Sequence, residues 1–349
     1  MIIILIGARW ITLILMTIPE NDEHLALVRN TDEAATQALK TLSAWEAMAS
    51  GAYAVNTRRA WRADAKGFQA FCEEEGREFL PATPDTVRRF VQHCLTIGKK
   101  PATIRRYLAT IARAHLAAGL ANPGASEPVR LALKAMGQQT SARQTQARGL
   151  IWAEIKQFID SAGKGLRADR ERALLCVAYD TMARREELVA LELDDLTFAP
   201  DGSGSALIRR SKTDQAGEGA RAYLSHETVR QLQRWVTSAK LDEGALFRRL
   251  IGRGRVGERL HADSVADIIK RVGRWIGLSA EEVAAISGHS IRVGATQDLL
   301  ALNIDLASVM QAGRWKSTAM PMRYGEHVLA ARGGMARAAH AQGRDGAPP

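Results

Sequence analysis

The feature that most constrains this chain is one stretch near its C-terminus, residues 285–325, which reads AISGHSIRVGATQDLLALNIDLASVMQAGRWKSTAMPMRYG. His289 and Arg292 are three positions apart, so on a helix they share one face. Trp315 follows an Ala-Gly-Arg turn, and Tyr324 lies nine residues beyond it. A tyrosine with its ordinary pKa of about 10 is a poor nucleophile unless cations surround its target and a neighbour accepts its proton. His289 and Arg292 are candidates for these two roles.

Length and charge limit the kinds of protein that could use such a nucleophile. A chain of 349 residues is long enough for two domains, each with its own core. Its net charge of +10 and its pI of about 9.8 favour a polyanionic partner, although charge alone does not separate DNA from RNA or a membrane surface. Residues 205–275 contain fifteen lysines or arginines against eight carboxylates, so the positive charge is concentrated as a binding face requires.

The cysteines and the N-terminus indicate the compartment. Cys72, Cys94 and Cys176 are odd in number and embedded in apolar helical patterns, which predicts buried, reduced thiols in a cytoplasmic protein. Metal-binding motifs are absent from the sequence, so we expect neither a metal site nor a cofactor. The apolar run at residues 1–17 is shorter than the ~20 residues of a membrane span and contains Arg9. We interpret residues 1–29 as a disordered or artefactual extension, with Met16 as the expected true start; a membrane anchor is the less favoured alternative.

The pattern along the chain predicts a mainly α-helical protein with a small antiparallel β-sheet in its second domain. Amphipathic helices without strand signals fill residues 30–137, which we expect to form a first, helical domain. Residues 138–148 are polar and unpatterned, as in a linker. Residues 149–325 form a second predicted domain, in which short strands around a Gly-rich turn give the sheet and Lys212 lies in its last hairpin. Residues 248–259, RRLIGRGRVGER, are predicted to form a basic loop between two helices of this domain. Residues 326–349 are a predicted tail.

Five motifs together resemble the tyrosine recombinase (phage integrase) family over roughly residues 40–325. AYDTMARREEL resembles the family's first-arginine motif, which makes Arg184 the phosphate-binding arginine and Glu187 its supporting carboxylate. RRSKTDQ resembles the hairpin that carries the family's lysine, here Lys212. GHSIR, GRW and MRYG supply the remaining positions, namely His289, Arg292, Trp315 and Tyr324, with tryptophan where many members have histidine. The resemblance therefore implies a complete active site.

That resemblance also implies a DNA-binding role for residues 30–137, a catalytic role for residues 149–325, a mechanism and an assembly. Tyr324 is expected to attack a DNA phosphate and form a 3′-phosphotyrosyl intermediate, which a 5′-hydroxyl from a partner strand reverses through a Holliday junction. Two guanidiniums at the phosphate make a divalent ion unnecessary. The phosphotyrosyl bond retains the energy of the broken phosphodiester, so ATP is unnecessary. The expected assembly is a homotetramer on double-stranded DNA with two paired inverted-repeat sites, with the tail of residues 326–349 docked into a neighbouring subunit.

The helices expected to approach the DNA grooves are less precisely assigned. The family's groove-facing helices correspond to segments in both domains, in which arginine can read guanine and other basic groups hold phosphates. The predicted DNA-binding residues are Thr57, Arg58, Arg59, Arg62, Arg105, Arg106, Tyr107, Thr110, Lys270, Arg271 and Arg274.

Three competing functions remain at this point. A type IB topoisomerase uses a similar set of arginine, lysine, histidine and tyrosine to nick and reseal one duplex. A DNA-binding regulator would bind without forming a covalent adduct. A metal-dependent transposase would need carboxylate ligands such as Asp194 and Asp195, which as adjacent residues point to opposite sides and are more easily explained as surface or capping groups.

Overall fold

The computed structural model describes residues 36–139, 145–209 and 219–346, apart from residues 39, 46, 50, 253 and 345. It divides the chain between Gln144 and Thr145 into two compact units. The predicted extension at residues 1–29, the middle of the predicted linker and Lys212 lie outside the described residues. The linker prediction began at residue 138, but the preceding helix continues to Gln139.

The first unit is helical in all of its described residues that have regular structure. Its helices are α1 (Val55–Glu74), α2 (Pro84–Thr96), α3 (Pro101–Ala117) and α4 (Glu127–Gln139), with a 3-10 turn at Pro123–Ala125 and further helical residues within 36–52. Proline is the first residue of both α2 and α3, where its missing N–H is harmless and its fixed φ suits a helix start. Thr83 caps α2 by accepting from the N–H of Thr86 at 3.2 Å.

The core of this unit is built from aromatic rings and thiols. Phe68 and Phe71 of α1 both pack on Phe90 of α2, with ring centres 5.0 and 5.2 Å apart. Burial raises the pKa of the Cys72 thiol to about 12 and that of Cys94 to about 11, although Arg77 and Lys99 partly offset these shifts. All three cysteines are buried and unpaired as disulfides, as their apolar surroundings predict.

The second unit contains eleven helices among its described residues. They are α5 (Trp152–Ser161), α6 (Leu166–Thr181), α7 (Arg185–Ala190), α8 (His226–Ala239), α9 (Asp263–Trp275), α10 (Ala280–Ala284), α11 (Ser290–Ala301), α12 (Leu306–Gly313), α13 (Ala319–Tyr324), α14 (Glu326–Arg332) and α15 (Gly334–Ala341). Among the described residues, no helix is both long and apolar enough to cross a bilayer. Neither α14 nor α15 has a buried residue, so the tail is helical but covers no core.

Two small antiparallel sheets flank these helices. The first has strands β1 (Leu196–Phe198), β2 (Gly204–Ile208) and β3 (Ala220–Leu224), in that spatial order, and confirms the predicted sheet. Its register pairs Ala206 with Leu196 on one side and with Ala222 on the other. Gly204 must lack a side chain because a Cβ atom there would approach the Thr197 carbonyl to 2.9 Å.

The second sheet corrects one sequence prediction. Residues 248–259 were expected to form a basic loop, but they form the hairpin β4 (Arg248–Ile251) and β5 (Arg255–Arg259). Leu250 and Val256 pack against the core, and Gly252 turns the chain with φ 56°. The density of arginines concealed the alternation of apolar side chains that defines a half-buried hairpin.

Helix α6 runs through the centre of the second unit and determines where the site lies. Residues 173–178 of α6 are buried without a break, and α8 and α11 both pack against this helix. The helix ends at Met182, which adopts the left-handed conformation with φ 47°. This reversal places the next residues, which begin α7, beside the start of α11. The motifs of residues 179–189 and 285–325 therefore converge from distant parts of the sequence.

Candidate active site

Arg184 is fixed by the start of the short helix α7, of which it is the N-cap residue. The carboxylate of Glu187, in the first turn, accepts the backbone N–H of Arg184 at 3.0 Å and its Nη1 at 2.6 Å. This local arrangement depends only on residues three positions apart, which explains why the sequence motif sufficed to find it.

Glu187 also holds a second arginine from far along the chain. Nη2 of Arg314 donates to its other oxygen, Oε2, at 3.0 Å, while Nη1 of Arg314 donates to the Thr181 carbonyl at 2.8 Å. Burial of the Glu187 carboxyl favours its neutral form, but the hydrogen bonds from Arg184 and the charges of both arginines outweigh this and lower its pKa. Glu187 is therefore ionised and bridges two guanidiniums.

Arg292 lies one turn into α11 and is almost completely buried, with 3% of its surface exposed. Its Nη1 and Nη2 donate to the carbonyls of Met182 and Gly313. Burial and the neighbouring charges of Arg184 and Arg314 lower its pKa to about 10, so it stays protonated at neutral pH. The guanidiniums of Arg184, Arg292 and Arg314 thus lie close together, and among the described contacts Glu187 is the carboxylate that bonds two of them, an arrangement that favours an anion.

Trp315 covers Arg292 and connects it to the tyrosine. The Cζ atom of Arg292 is 4.2 Å from the centre of the indole ring, and the ring of Tyr324 meets the same indole edge-on at 6.0 Å and 68°. Arg314 turns the chain in the left-handed conformation with φ 54°, and a side chain on Gly313 would collide with the indole. The sequence Gly-Arg-Trp therefore produces both the turn and the stacking.

His289 lies at the start of α11, where its backbone N–H donates to Oγ of Ser287 at 3.1 Å. The residue is exposed, although nearby protein atoms partly desolvate its imidazole. This partial burial, together with the charge of Arg292, lowers the pKa of His289 below its ordinary value. A neutral imidazole at pH 7 can accept a proton.

The predicted catalytic residues that lie in the described part of the chain therefore come together. Arg184, Glu187, Arg292, Trp315 and Tyr324 form one connected set, and the charges of Arg292, Arg184 and Arg185 act on His289. Lys212 lies outside the described residues. No group of three or more metal-ligating side chains occurs among the described residues. Asp195, considered above as a ligand, is 2% exposed and accepts the N–H of Glu192 at 2.9 Å, which is a capping role.

The sequence of the second unit matches a known family over most of that unit. Residues 150–330 match the phage integrase family, and residues 45–118 match the N-terminal SAM-like domain of phage integrases. The chain belongs to the phage integrase family of tyrosine recombinases.

Alignments with individual relatives cover most of this recombinase and most of each relative. It is 29% identical over 280 residues to an integrase/recombinase XerD homolog of Selenomonas ruminantium, which covers 77% of this chain and 81% of the relative. It is 25% identical over 288 residues to recombinase Cre of Escherichia phage P1, covering 78% and 84%. The similarity is spread over both units.

Solved structures share the fold at low sequence identity. The Tn1549 transposon integrase in complex with transposon right end DNA superposes with a TM-score of 0.60 at 14% identity, over 84% of this chain and 98% of that one. A lambda integrase dimer bound to a COC′ core site gives 0.54 at 16% identity, over 81% and 93%. The predicted two-domain tyrosine recombinase fold is thus confirmed.

The predicted DNA-binding residues of this recombinase differ in how exposed they are. Four of them, Thr57, Arg59, Arg62 and Arg105, are exposed on α1 and α3, and Arg274 is exposed on α9. Arg58, Tyr107 and Lys270 are half-buried.

Three of the predicted DNA-binding residues serve internal contacts. Thr110 is 5% exposed and donates to the buried carboxylate of Asp64 at 3.1 Å, which corrects its assignment as a groove-facing residue. Arg106 pairs with the same carboxylate at 2.8 Å. Arg271 pairs with the buried Glu171 at 2.6 Å. Helical spacing marked these residues as lying off the core face, but it could not show the buried acids that they satisfy.

Arg314 is the site residue that sequence reasoning missed. It stands within the GRW motif, where only Trp315 was assigned a role. Its partner Glu187 is 127 positions away, so no local pattern joins the two. The one available signal was an arginine directly after a helix-ending glycine and before an aromatic residue.

Proposed function

We propose that this chain is a site-specific DNA recombinase that cleaves and rejoins DNA strands through a 3′-phosphotyrosyl intermediate. The observation that carries this proposal is that Trp315 contacts both the buried guanidinium of Arg292, which lies over the indole face, and the ring of Tyr324, which meets the indole edge-on. A phosphate attracted to the arginines would lie beside the tyrosine hydroxyl. Family membership and the match of both units support the same conclusion.

The proposed chemistry is a phosphoryl transfer in which each bond broken is replaced by another. The Tyr324 oxygen attacks the scissile phosphorus and loses its proton to His289, whose lowered pKa favours the neutral base. The bond from phosphorus to the 5′-oxygen breaks, and Lys212 is the proposed donor of the proton that this oxygen takes. A 5′-hydroxyl from the partner strand then attacks the phosphotyrosine, releases Tyr324 and restores the phosphodiester.

The arginines stabilise the charge that develops on the non-bridging oxygens. Arginine presents a planar fork of donors that matches two phosphate oxygens and remains protonated throughout the reaction. Carbonyl groups already orient the Arg292 fork, and Glu187 orients that of Arg184, so little reorganisation is needed in the transition state. We propose that these cations replace the divalent ion that other phosphoryl-transfer enzymes use.

The proposed partner is double-stranded DNA carrying inverted-repeat recombination sites. The net charge of +10 and the exposed arginines of α1, α3 and α9 suit a phosphate backbone. The Tn1549 and lambda integrases share the fold and are bound to DNA in their structures. We propose residues 30–137 as the helical DNA-binding domain and 149–325 as the catalytic domain, joined by 138–148.

The proposed assembly is a homotetramer on two paired sites. Helices α14 and α15 have no buried residue of their own, although Arg332 of α14 donates to the Ala301 carbonyl of α11, and Met335 of α15 is 74% exposed. Such a tail is suited to packing on a neighbouring subunit, which is the role we propose for it.

A synthetic Holliday junction separates this function from that of a type IB topoisomerase. A recombinase resolves the junction into two duplexes by exchanging a second pair of strands, whereas a topoisomerase reseals the strand that it cut. Resolution by the parent protein, and none by Tyr324→Phe, supports the proposal. Relaxation of supercoiled DNA without junction resolution would support the topoisomerase alternative.

A further inference from the structure

The backbone of Tyr324 is held by two glutamine side chains from different parts of the second unit. Its carbonyl oxygen accepts Nε2 of Gln146 at 3.1 Å and Nε2 of Gln297 at 3.2 Å. Tyr324 is the last residue of α13, where the final carbonyls of a helix have no partner within the helix. Two side-chain amides on one such carbonyl fix the end of the helix that carries the nucleophile.

Gln297 connects this support to the phosphate-binding arginine. It lies five residues after Arg292 on the same helix, α11. The next residue of the chain after the tyrosine, Gly325, also lies against α11, since a Cβ atom there would collide with Leu300. Gln297 thus links the helix that carries Arg292 to the backbone of Tyr324 through one side chain and one hydrogen bond.

Gln146 belongs to an extended segment that lies along α11. The N–H of Leu150 donates to the Ser290 carbonyl at 2.9 Å, and the N–H of Trp152 donates to the Asp298 carboxylate at 2.7 Å. Gly149 approaches α11 so closely that a Cβ atom there would collide with the Gln297 amide. The segment of residues 145–152 therefore contacts both Tyr324 and Gln297.

We infer that Gln297 and Gln146 are positioning residues for the Tyr324 nucleophile and act through its carbonyl oxygen. This inference rests on the proposed role of Tyr324. Neither glutamine touches the phosphate-binding arginines in the described contacts, so their effect falls on the approach of the tyrosine oxygen. A nucleophile displaced by a fraction of an ångström loses much of the advantage of a fixed orientation.

The test uses Gln297→Met and Gln146→Met, alone and together, in the full-length protein. Methionine matches glutamine in length but has no N–H to donate. Gln157→Met is the matched control, because Gln157 also donates to a backbone carbonyl in the second unit, that of Ile276 at 3.4 Å, away from Tyr324. The measurements are DNA affinity, the single-turnover cleavage rate at saturating DNA and the unfolding temperature.

Each single change should slow cleavage by about 2–10-fold, as expected for one hydrogen bond. The double change should slow cleavage by more than the product of the two single effects. In each single variant the remaining glutamine still holds the Tyr324 carbonyl, whereas in the double variant neither does. DNA affinity should stay within about twofold, and the control should cleave at the parent rate. Gly149→Ala, whose Cβ atom would collide with the Gln297 amide and press on the Gly294 backbone of α11, should slow cleavage at least as much as Gln297→Met does.

Two results would overturn the inference. One is a double variant that cleaves at the parent rate while remaining folded. The other is a slower rate accompanied by an equal loss of DNA affinity, which would make the glutamines part of the binding surface or the general fold. Failure of the proposed function is a separate result, since it would appear as a covalent DNA adduct that persists in Tyr324→Phe.

Discussion

The guanidinium carbon of Arg292 lies 4.2 Å from the centre of the Trp315 indole ring. A cation over an aromatic face contributes about 0.5–2 kcal/mol, with the larger values in desolvated sites such as this one. The indole N–H can also donate to a phosphate oxygen. Trp315 therefore has two separable contributions, the face that covers Arg292 and the donor at its edge.

Substitutions at Trp315 should separate these contributions. Trp315→Phe keeps an aromatic face and loses the donor, so cleavage should slow by about 10–100-fold, the cost of one hydrogen bond to a charged group. Trp315→His restores an N–H and should cleave faster than the Phe variant, whereas Trp315→Ala should be slowest. Single-turnover rates on one DNA site give the order, and an Ala variant as fast as the parent would exclude both contributions.

Arg314→Gly tests the arginine that shares Glu187 with Arg184. Removing one partner from a buried carboxylate destabilises the fold, while glycine relieves the left-handed backbone strain of about 1–2 kcal/mol. We expect cleavage about 10–100-fold slower because Arg184 is then less firmly oriented. Lys240→Gly is the control, since exposed Lys240 has the same conformation with φ 53°; it should leave cleavage unchanged. Equal cleavage rates for Arg314→Gly and Lys240→Gly would show that Arg314 does not contribute to the site.

The pH dependence of cleavage tests His289 as the proton acceptor. Its partial burial and the charge of Arg292 lower its pKa below the ordinary value, so the neutral base predominates at pH 7 and is lost as the pH falls through that lowered pKa. The second-order rate constant, which reports the free protein, should be level from pH 7 to 8 and decline at acidic pH. In His289→Ala this decline should vanish and the rate should be about 10²–10⁴-fold lower. A rate that rises on acidification would show that the imidazolium is the active form.

Lys212 can be tested through the leaving group. If it protonates the departing 5′-oxygen, Lys212→Ala should slow cleavage by about 10²–10⁴-fold, or roughly 3–5 kcal/mol of barrier. A 5′-bridging sulfur leaves without a proton, so the same variant should cleave that substrate almost as fast as the parent. Arg184→Ala and Arg292→Ala should remain slow on both substrates. Equal defects of Lys212→Ala on both would make another group the acid, with His289 the next candidate.

The sequence allowed prediction of those parts of the site that depend on short spacings or on family motifs. Arg184 and Glu187 form a helix-start arrangement three positions apart, and Trp315 and Tyr324 lie in the neighbouring GRW and MRYG motifs. Arg314 escaped prediction because its partner is remote and its backbone conformation is unusual for arginine. Thr110 was misassigned because helical periodicity separates faces but does not reveal a buried carboxylate such as Asp64.

The fold was predicted to a similar extent. The helical first unit and the sheet of β1 to β3 follow from periodicity and turn residues. The hairpin of β4 and β5 was taken for a loop because its arginines outnumber the two apolar side chains, Leu250 and Val256, that attach it to the core. Tertiary packing of a few residues decided this element, and a local pattern does not contain that information.

The central claim is that Tyr324 becomes covalently joined to the 3′ end of the cleaved strand. The most direct measurement is trapping on a nicked substrate, from which the fragment carrying the 5′-hydroxyl diffuses away, followed by proteolysis and mass spectrometry of the DNA-linked peptide. The account predicts one adduct, located at Tyr324, and none from Tyr324→Phe, which should still bind DNA with nearly unchanged affinity. An adduct at another residue, or a covalent product from Tyr324→Phe, would contradict it.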